Sequence, residues 1–504
     1  MKEIVLTTIN AKWIHPSLAL RLLKANLNSL EEKCEIIEFN LRQPLAEKIE
    51  PLAAARPLVL GISVSIWNHL ATIELLEELE KTWAAKNGLY GTRPVIVLGG
   101  PEVTHLPMES AIFQFADYVI RGEGETAFRL LCEEILTANR PSQERKMPPK
   151  FINAENVNLD KIKSAYHLYT DEDLAKKLIY VESSRGCPFN CEFCLSAVKP
   201  KKEGQDSVLR EFPLEPFLAE MDALVNRGAR TFKFLDRTFN INIDRAISII
   251  NFFLKKIEER KTHSGVPPIT VHFEMVPSLF PSELREALTR FPTGSLRLEI
   301  GIQTLNAEVS ARIGRPSNPE KELETLRFLR EKTNAVIHAD LIAGLPGENL
   351  ASFGKGFDRL CQTLGNTALQ SAELHNAEKT TAENAPRAEI QLGILKILPE
   401  TPISRHIEAF KMRCNPLPPY EIEETSSISA PDLLRIKNFA RFWELIINRS
   451  LAGFAETGSV FDKFMCLSDT LYAHFRRNWG IDRNELAESL KSEGKTSGLT
   501  VNNA

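Results

Sequence analysis

Three cysteines within eight residues carry the clearest chemical signal in the chain. Cys187, Cys191 and Cys194 have the spacing C-x3-C-x2-C, with a glycine directly before the first cysteine and an apolar stretch, 178–181, leading in. Zinc sites usually take four ligands. A compact loop with three thiolates suits three irons of a [4Fe-4S] cluster and leaves the fourth iron open to a non-protein ligand. The other interpretations are three buried free cysteines or a zinc knuckle that lacks one ligand.

The motif and its setting after a predicted strand are similar to the signature of the radical SAM superfamily, which has an aromatic residue where Phe193 stands here. The resemblance implies that the open iron binds the amino and carboxylate groups of S-adenosylmethionine (SAM). It also implies that one electron from the cluster splits the sulfonium and releases a 5′-deoxyadenosyl radical. A flavodoxin or a ferredoxin is the electron donor expected for such an enzyme.

Composition and charge limit the binding partners and the cellular location that we expect for this protein. The formal net charge of the 504 residues is −4 and the pI is about 6.3, so the charge balance indicates neither nucleic acid nor an anionic membrane as a partner. Five of the eight cysteines are widely scattered, which argues against a disulfide framework and fits a reducing cytoplasm. No signal peptide and no apolar run of membrane-spanning length is found, so we expect a cytoplasmic protein.

Residues 1–140 predict a parallel, doubly wound sheet, because short apolar runs alternate with amphipathic stretches. The predicted strands are 4–7, 34–39, 58–63, 95–98 and 118–120, and the predicted helices are 17–32 and 69–86. Ligands bind such a sheet at the carboxyl ends of its strands. Three loops stand there: Asn10 to Ser17, Ser63 to Ser65, and Gly99 to Glu102.

These loops resemble the cobalamin-binding Rossmann-like domain, whose pattern is D-x-H-x-x-G, then S-x-L or S-x-S, then G-G. His15 lies in the matching loop, but Trp13 and Leu18 replace the aspartate and the glycine, so a carboxylate–histidine relay to cobalt is not supported. A loop histidine before proline also fits a cap or a hydrogen-bond partner. The whole domain also fits a doubly wound fold that binds another ligand or none. The resemblance places the following residues at the cobalamin site: His15, Ser63, Ser65, Gly99, Gly100 and Glu102.

The middle of the chain predicts a barrel. Residues 141–178 begin with a proline-rich polar stretch and are interpreted as a surface linker. From 179 to 402, apolar strands alternate with helical patterns, and the resemblance implies the partial (β/α)6 TIM barrel of radical SAM enzymes, with its chemistry at the carboxyl ends of the strands. The predicted strands are 180–184, 230–235, 270–275, 296–302, 336–342 and 390–396.

Polar groups near these strand ends match SAM-binding elements of the family. Asp236 stands in a stretch that resembles DD-x-F, although Arg237 replaces the second acid, and its carboxylate suits the amino group of SAM. Gly344 stands in a stretch similar to G-x-I-x-G-x-x-E, with Glu348 one residue late. Either Arg312 or Arg315 suits the SAM carboxylate. The complete SAM-binding set implied by the resemblance is Phe193, Asp236, Glu299, Gln303, Arg312 and Gly344.

Three further polar residues near strand ends, His272, Glu274 and His338, either face the substrate or are hydrogen-bonded groups inside the barrel. Residues 403–490 predict a small helical domain that resembles an uncharacterised C-terminal extension of cobalamin-type radical SAM proteins. Its recurring aromatic residues favour core packing. The polar, Gly- and Ser-containing tail, 491–504, is expected to be disordered.

The resemblance therefore identifies an α/β enzyme that uses a [4Fe-4S] cluster, SAM and cobalamin. The reaction most typical of the family is methylation of an unactivated carbon. Ring contraction, oxidative cyclisation and redox rearrangement share the architecture and remain alternatives. A non-catalytic corrinoid carrier or sensor with a structural cluster is a third interpretation. The sequence does not distinguish a peptide, nucleobase, lipid or tetrapyrrole as the substrate.

Overall fold

The computed structural model describes residues 2–85, 93–138, 149–198, 209–261, 268–315, 317–365, 388–454, 458–493 and 499–501. The chain divides into two compact units. The first comprises Met1–Ser184 and Arg210–Lys233, and the second comprises Arg185–Leu209 and Phe234–Ala504. None of the helices in these ranges is both long enough and apolar enough to cross a bilayer.

The strands are β1 (Ile4–Asn10), β2 (Cys34–Asn40), β3 (Val59–Ser63), β4 (Val95–Gly99), β5 (Tyr118–Arg121), β6 (Phe151–Asn153), β7 (Ile179–Val181), β8 (Ser184–Arg185), β9 (Arg210–Glu211), β10 (Thr231–Phe234), β11 (Thr270–Met275), β12 (Leu296–Gln303), β13 (Val336–Ala343), β14 (Ala388–Ile394), β15 (Arg413–Cys414), β16 (Ile422–Glu424), β17 (Ala452–Phe454) and β18 (Leu499–Val501).

The α-helices are α1 (Leu18–Ala25), α2 (Leu45–Ala55), α3 (His69–Ala84), α4 (Pro101–His105), α5 (Gly124–Ala138), α6 (Asp171–Lys176), α7 (Leu214–Asn226), α8 (Ile243–Lys261), α9 (Ser282–Thr289), α10 (Ala307–Arg312), α11 (Pro319–Lys332), α12 (Leu350–Leu364), α13 (Ala430–Ile446), α14 (Val460–Phe475) and α15 (Arg483–Glu493). Short 3-10 helices cover Asn28–Lys33, Ala111–Phe115, Tyr166–Leu168, Leu195–Ala197 and Pro402–His406.

The first sheet has the strand order β2-β1-β3-β4-β5-β6, and all its pairs are parallel. Every residue of β1 is buried, as expected for a central strand covered by helices on both faces. The strand order reverses between β1 and β3, and ligands of doubly wound sheets bind at such a switch point. The predicted α/β architecture of the first 140 residues is confirmed.

The predicted linker, 141–178, is wrong for the part that the structure describes. Strand β6 extends the first sheet beside β5, and the segment also holds a 3-10 helix and α6. In α6, Asp173 accepts a hydrogen bond of 2.8 Å from the buried Arg21 of α1. The sequence prediction missed this because β6 has only three residues, too few for a periodic pattern. Residues 141–148 lie outside the described ranges.

The second sheet has the order β14-β13-β12-β11-β10-β7. Strands β10 to β14 begin and end within two residues of the predicted positions, and β11 coincides with its predicted range. The predicted strand 180–184 is split into β7 and β8. Buried and half-buried residues alternate along β12 and β13. The buried positions are largely aliphatic, and the half-buried ones are largely polar, which is the period-2 pattern of strands with one apolar face.

The C-terminal region packs around aromatic side chains. Phe439 and Trp443 of α13 are fully buried and contact Phe357 of α12 and Phe464 of α14. Core packing therefore explains these rings, whereas Trp479 is 71% exposed and lies outside this core.

The described residues beyond 490 form regular structure, whereas the sequence predicted disorder. Helix α15 continues to Glu493, and β18 pairs antiparallel with β17. The run Leu499-Thr-Val501 contains the apolar and β-branched residues that favour a short strand. Residues 494–498 and 502–504 lie outside the described ranges.

Candidate functional site

The three motif cysteines lie on one tight loop. Gly186 has a φ of +95°, a backbone conformation that favours glycine, directly before Cys187. The amide of Cys194 donates a hydrogen bond of 2.9 Å to the carbonyl of Cys191 and closes the next turn. Cys187 and Cys191 are buried and Cys194 is half-buried, and all three thiols are free of disulfide bonds.

Glu192 fixes this loop through both its backbone and its side chain. Its amide donates to the carbonyl of Ile313 at 2.9 Å, and its carbonyl accepts from the amide of Ile403 at 3.0 Å. Its buried carboxylate lies 2.9 Å from Nε2 of His406 and also contacts Arg405. Residues before and after the barrel's last strand therefore hold the cysteine loop in place.

Two polar side chains reach the thiols, one from the turn after α10 and one from the end of β10. Nη1 of Arg315 lies 4.0 Å from Sγ of Cys191, and the same guanidinium donates to the carbonyl of Gly301 near the end of β12. Sγ of Cys187 lies 3.6 Å from the Thr238 hydroxyl, which follows β10. Burial raises the pKa of the Cys191 thiol, and the Arg315 guanidinium opposes that rise.

The cysteine loop offers the ligands that a cubane cluster needs. Within the described ranges, no three His, Cys, Asp or Glu side chains converge as the ligands of one ion would. In a cluster, each thiolate binds its own iron, so the three thiolates need not converge on one point. The eight-residue loop provides three free thiols for three irons. The neighbouring guanidinium of Arg315 complements the negative charge of thiolate ligands.

Three of the predicted SAM-binding residues lie at strand ends. Asp236 follows β10 and is 1% exposed. Gln303 ends β12 with a φ of +68°, beyond a register shift in the pairing with β13. Gly344 follows β13 with a φ of +88°, and a Cβ there would lie 2.5 Å from the Ile422 side chain. Their role in binding SAM stays a prediction.

The structure places the other predicted SAM-binding residues differently. Glu299 lies in the middle of β12, where a carboxylate oxygen is 3.3 Å from Nε2 of His272. Arg312 donates a hydrogen bond of 2.7 Å to the Pro346 carbonyl and lies over the Phe410 ring. Arg315, the alternative cation, is the one that reaches the cysteine loop.

Phe193, the remaining predicted SAM-binding residue, is half-buried and lines a cavity of about 560 Å³ along β14.

The sequence allows two placements of His338: facing the substrate, or hydrogen-bonded inside the barrel. Its Nε2 lies 2.9 Å from a carboxylate oxygen of Glu389 in β14. Burial alone would raise the pKa of Glu389, but His338 and Arg297 hold it below its usual value. These contacts favour the second possibility for His338.

Two further buried polar residues lie near the strand ends: Asn240, which the sequence did not indicate, and Glu348, which the sequence places one residue late in a family motif. Asn240 is fully buried, and its amide nitrogen donates to the carbonyls of Val276 and Leu279 at 3.0 and 2.6 Å. Glu348 is 3% exposed and accepts a hydrogen bond of 2.7 Å from the Thr304 hydroxyl. Burial raises the pKa of Glu348 to about 7. Single polar residues have no periodic signature, although Glu348 stands in a motif that the sequence did single out.

In the first unit, the predicted cobalamin loops after β3 and β4 lie side by side. Ser63 is the register partner of Gly99. Gly100 has a φ of +102°, and a Cβ on it would lie 2.6 Å from the carbonyl oxygen of Val64. A Cβ on Gly99 would make only an ordinary contact of 3.7 Å with the Ile120 carbonyl. Gly100 is therefore required by the fold itself, whereas Gly99 leaves space beside the strand end.

Asn68 organises the same loops and was not predicted. It is fully buried, accepts a hydrogen bond of 2.8 Å from the Ser65 amide, and donates to the Ile9 carbonyl at 3.0 Å. Its partners come from the ends of β1 and β3, the two strands at the switch point. Asn68 therefore fixes the spacing of the loops that carry His15 and Ser65.

Two predicted cobalamin residues have protein partners. The buried carboxylate of Glu102 lies 2.7 Å from Nδ1 of His69. Nδ1 of His15 lies 2.7 Å from the Tyr180 hydroxyl, and burial lowers the pKa of His15. This contact is the hydrogen-bond alternative that the sequence left open for His15, and it leaves Nε2 as the ring nitrogen that can face a ligand.

Exposed apolar side chains surround the switch point. Trp13 and Ile14 in the loop after β1 are 47% and 38% exposed, and Trp67 in the loop after β3 is 51% exposed. Exposed apolar groups at a strand-end crevice are typical of a ligand-binding groove. Together with the open space beside Gly99, they fit a large, flat and partly apolar ligand such as a corrin.

Two family models match the chain. Residues 4–132 match the B12 binding domain, and residues 181–360 match the radical SAM superfamily. The chain therefore carries both domains in the predicted order.

Curated relatives include methyltransferases. An uncharacterized methyltransferase of Pyrococcus horikoshii is 32% identical over 169 residues, which cover 31% of this chain and 36% of that protein. The 2-(S-pantetheinyl)-carbapenam-3-carboxylate methyltransferase of Streptantibioticus cattleyicolor is 23% identical over 375 residues, which cover 68% of this chain and 52% of that protein. This chain thus spans about a third to a half of the length of these relatives.

Solved structures share the fold. The radical SAM methyltransferase TsrM of Kitasatospora setae, solved with tryptophan substrate and a SAM analog, has a TM-score of 0.55 and 17% identity, and the match covers 83% of this chain and 80% of that chain. The cobalamin-dependent SAM radical enzyme OxsB, solved with aqua-cobalamin and SAM, has a TM-score of 0.57 and 16% identity, and the match covers 98% of this chain and 71% of that chain.

Proposed function

We propose that this chain, with its B12 binding domain at residues 4–132 and its radical SAM domain at residues 181–360, is a cobalamin-dependent radical SAM methyltransferase. The observation that carries the proposal is the loop of three free thiols beside the strand ends of a parallel sheet, next to Arg315. Methyltransferases among the curated relatives support methyl transfer over rearrangement.

In this function, Cys187, Cys191 and Cys194 hold a [4Fe-4S] cluster, and the loops after β1, β3 and β4 hold cobalamin. When bound, the cluster supplies the electron that cleaves SAM and cobalamin supplies the methyl group. A flavodoxin- or ferredoxin-type protein is the expected electron donor. The substrate is a molecule with an unactivated carbon.

The chain's own residues position these groups. Glu192 holds the cysteine loop through bonds to Ile313, Ile403 and His406. Arg315 places a positive charge beside Cys191, where it stabilises the thiolate. Asp236, buried behind β10, suits the ammonium group of SAM, and Gln303 and Gly344 offer polar and backbone contacts at the neighbouring strand ends.

Reconstitution under anaerobic conditions tests the cluster assignment. Wild-type protein should hold about four irons per chain and cleave SAM to 5′-deoxyadenosine when reduced. Cys191→Ser should lose cleavage, because a serine hydroxyl does not replace a thiolate on iron. Cys466→Ser is the control, since Cys466 is exposed on α14 and should be dispensable. Full cleavage by the Cys191 variant would refute the cluster assignment.

A further inference from the structure

Among the described residues, strand β14 is the edge strand of the second sheet, with β13 as its neighbour. In a parallel ladder, alternate residues direct their N–H and C=O groups to opposite sides of the strand. The Leu395 amide donates to Ala343 of β13 at 2.9 Å, so odd-numbered residues face β13. The even-numbered residues of β14, namely Ala388, Ile390, Leu392 and Ile394, therefore direct their backbone groups away from the sheet.

The two ends of this edge are already paired. The Ile390 amide donates to Oδ1 of Asn448 at 3.3 Å, and Nδ2 of Asn448 donates to the Ile390 carbonyl at 3.1 Å. The buried carboxamide of Asn448 thus makes the two hydrogen bonds that a residue of a neighbouring strand would make. Just past the other end of β14, the strand alternation no longer holds: the Leu395 amide faces β13, but the Leu395 carbonyl accepts a hydrogen bond of 2.8 Å from the Ile422 amide.

The middle of the edge borders a cavity of about 560 Å³. In the described part of the chain, no hydrogen bond joins the Leu392 backbone to an element on that side. The cavity is lined by residues 390–396, by Phe193 of the cysteine loop and by polar side chains of α13. Its volume lies in the range of small-ligand sites.

We propose that this cavity binds an extended peptide segment of the substrate, which pairs with the backbone of Leu392 and Ile394 as an added strand. The proposal rests on the proposed function and names its substrate class. Phe193 joins the cavity to the cysteine loop, so a bound segment would lie beside the site of SAM cleavage. When a peptide adds to a sheet edge as a strand, its affinity comes from main-chain hydrogen bonds. The Asn448 carboxamide makes the same kind of hydrogen bonds with the backbone of Ile390, two residues before Leu392.

The charges of the lining favour an acidic segment. The charged residues that line the cavity are the cations Lys396, Lys437 and Arg441 and the anions Glu421 and Glu444. Lys437 is hydrogen-bonded to Glu421, and Glu444 is paired with Arg449 outside the lining. The lining therefore has one more cationic than anionic group and should prefer a peptide with a carboxylate.

The test uses a randomised library of N-acetylated hexapeptide amides on the reconstituted holoenzyme. We expect acidic members to bind. For the best binder, N-methylation of every second amide should weaken binding by about tenfold or more in one of the two alternating patterns, because only one set of amides faces the edge. The other pattern should change binding by less than about threefold. A library without a binder, or equal effects of both patterns, would overturn the proposal.

A protein variant gives an independent arm. Leu392→Pro removes the N–H that faces the cavity, and proline is tolerated on edge strands where that N–H does not join the ladder. It should weaken peptide binding by about tenfold, whereas Leu392→Val should leave it unchanged. Peptide-independent SAM cleavage by each preparation reports separately on the proposed function. Intact cleavage without peptide binding would therefore reject the peptide class alone.

Discussion

Glu348 shows what a single buried carboxyl group does in the second unit. One of its oxygens accepts a hydrogen bond from Thr304, and the other has no partner among the described residues. Burial raises the pKa of this group to about 7, from about 4.5 in the unfolded chain. The unfolded chain then releases its proton first as the pH rises, so the stability of the fold decreases between about pH 4.5 and 7.

Glu348→Gln should remove this loss, because the amide keeps an acceptor for Thr304 and does not ionise. We expect the variant to exceed the wild type in stability above pH 7 by up to about 3 kcal/mol, with little difference at pH 4.5. Melting temperatures measured across this range check the prediction. The exposed Glu286→Gln provides the control, and an unchanged pH dependence in Glu348→Gln would contradict it.

Among single residues, the sequence predicted those that belong to a motif with a fixed spacing. It missed those whose importance depends on their contacts in the folded protein. The three cysteines form a motif, so their shared loop was predictable. Asn68 and Asn240 are single amides in loops, and their importance comes from backbone carbonyls that are distant in sequence. Arg312 and Arg315 were indistinguishable in sequence, because the direction of each guanidinium depends on the turn after α10.

At the scale of elements, the strand-end glycines of the first sheet have separate roles. Gly100 allows the chain to turn against Val64, and Gly99 leaves space beside β4. Gly99→Val should therefore keep the melting temperature of the apoprotein but weaken cobalamin binding by about tenfold or more, through steric exclusion. Titration of absorbance with cobalamin measures the affinity.

Gly100→Val is the informative comparison. It places a β-branched residue at a φ of +102° with a Cβ 2.6 Å from a carbonyl oxygen, so it should lower the melting temperature whether or not cobalamin binds. Equal cobalamin affinity in wild type and Gly99→Val would show that the ligand does not use this strand end.

Strands with clear periodicity were predictable and short ones were not. The barrel strands and β1 to β5 of the first sheet were located because five or more apolar or alternating residues mark most of them. Strands β6 and β18 have three residues each, and their pairing with distant segments determines them. The predicted linker and the predicted disordered tail failed for this reason.

At the scale of the whole chain, the C-terminal region is connected to the cysteine loop. Ile403 and His406 both bind Glu192, the residue between the second cysteine and Phe193. This contact gives the region a structural role that the resemblance alone did not supply.

His406→Ala should loosen the cysteine loop. We expect the reconstituted cluster to be lost to a chelator about tenfold faster than from the wild type, because a hydrogen bond to a buried carboxylate is removed. His474→Ala, on the exposed surface of α14, is the matched control. Iron release followed by absorbance makes the measurement, and identical rates in the two variants would contradict this role of His406.

We expect this chain to use SAM in two ways, at the cluster and at cobalamin. The direct measurement incubates reduced holoenzyme with SAM deuterated in its methyl group and quantifies 5′-deoxyadenosine, S-adenosylhomocysteine and labelled corrinoid by mass spectrometry. The wild type should form all three, Cys191→Ser should form S-adenosylhomocysteine and labelled corrinoid without 5′-deoxyadenosine, and Gly99→Val should do the reverse. Formation of 5′-deoxyadenosine by the wild type without S-adenosylhomocysteine or transferred deuterium would contradict methyl transfer and leave the redox or rearrangement chemistry in its place.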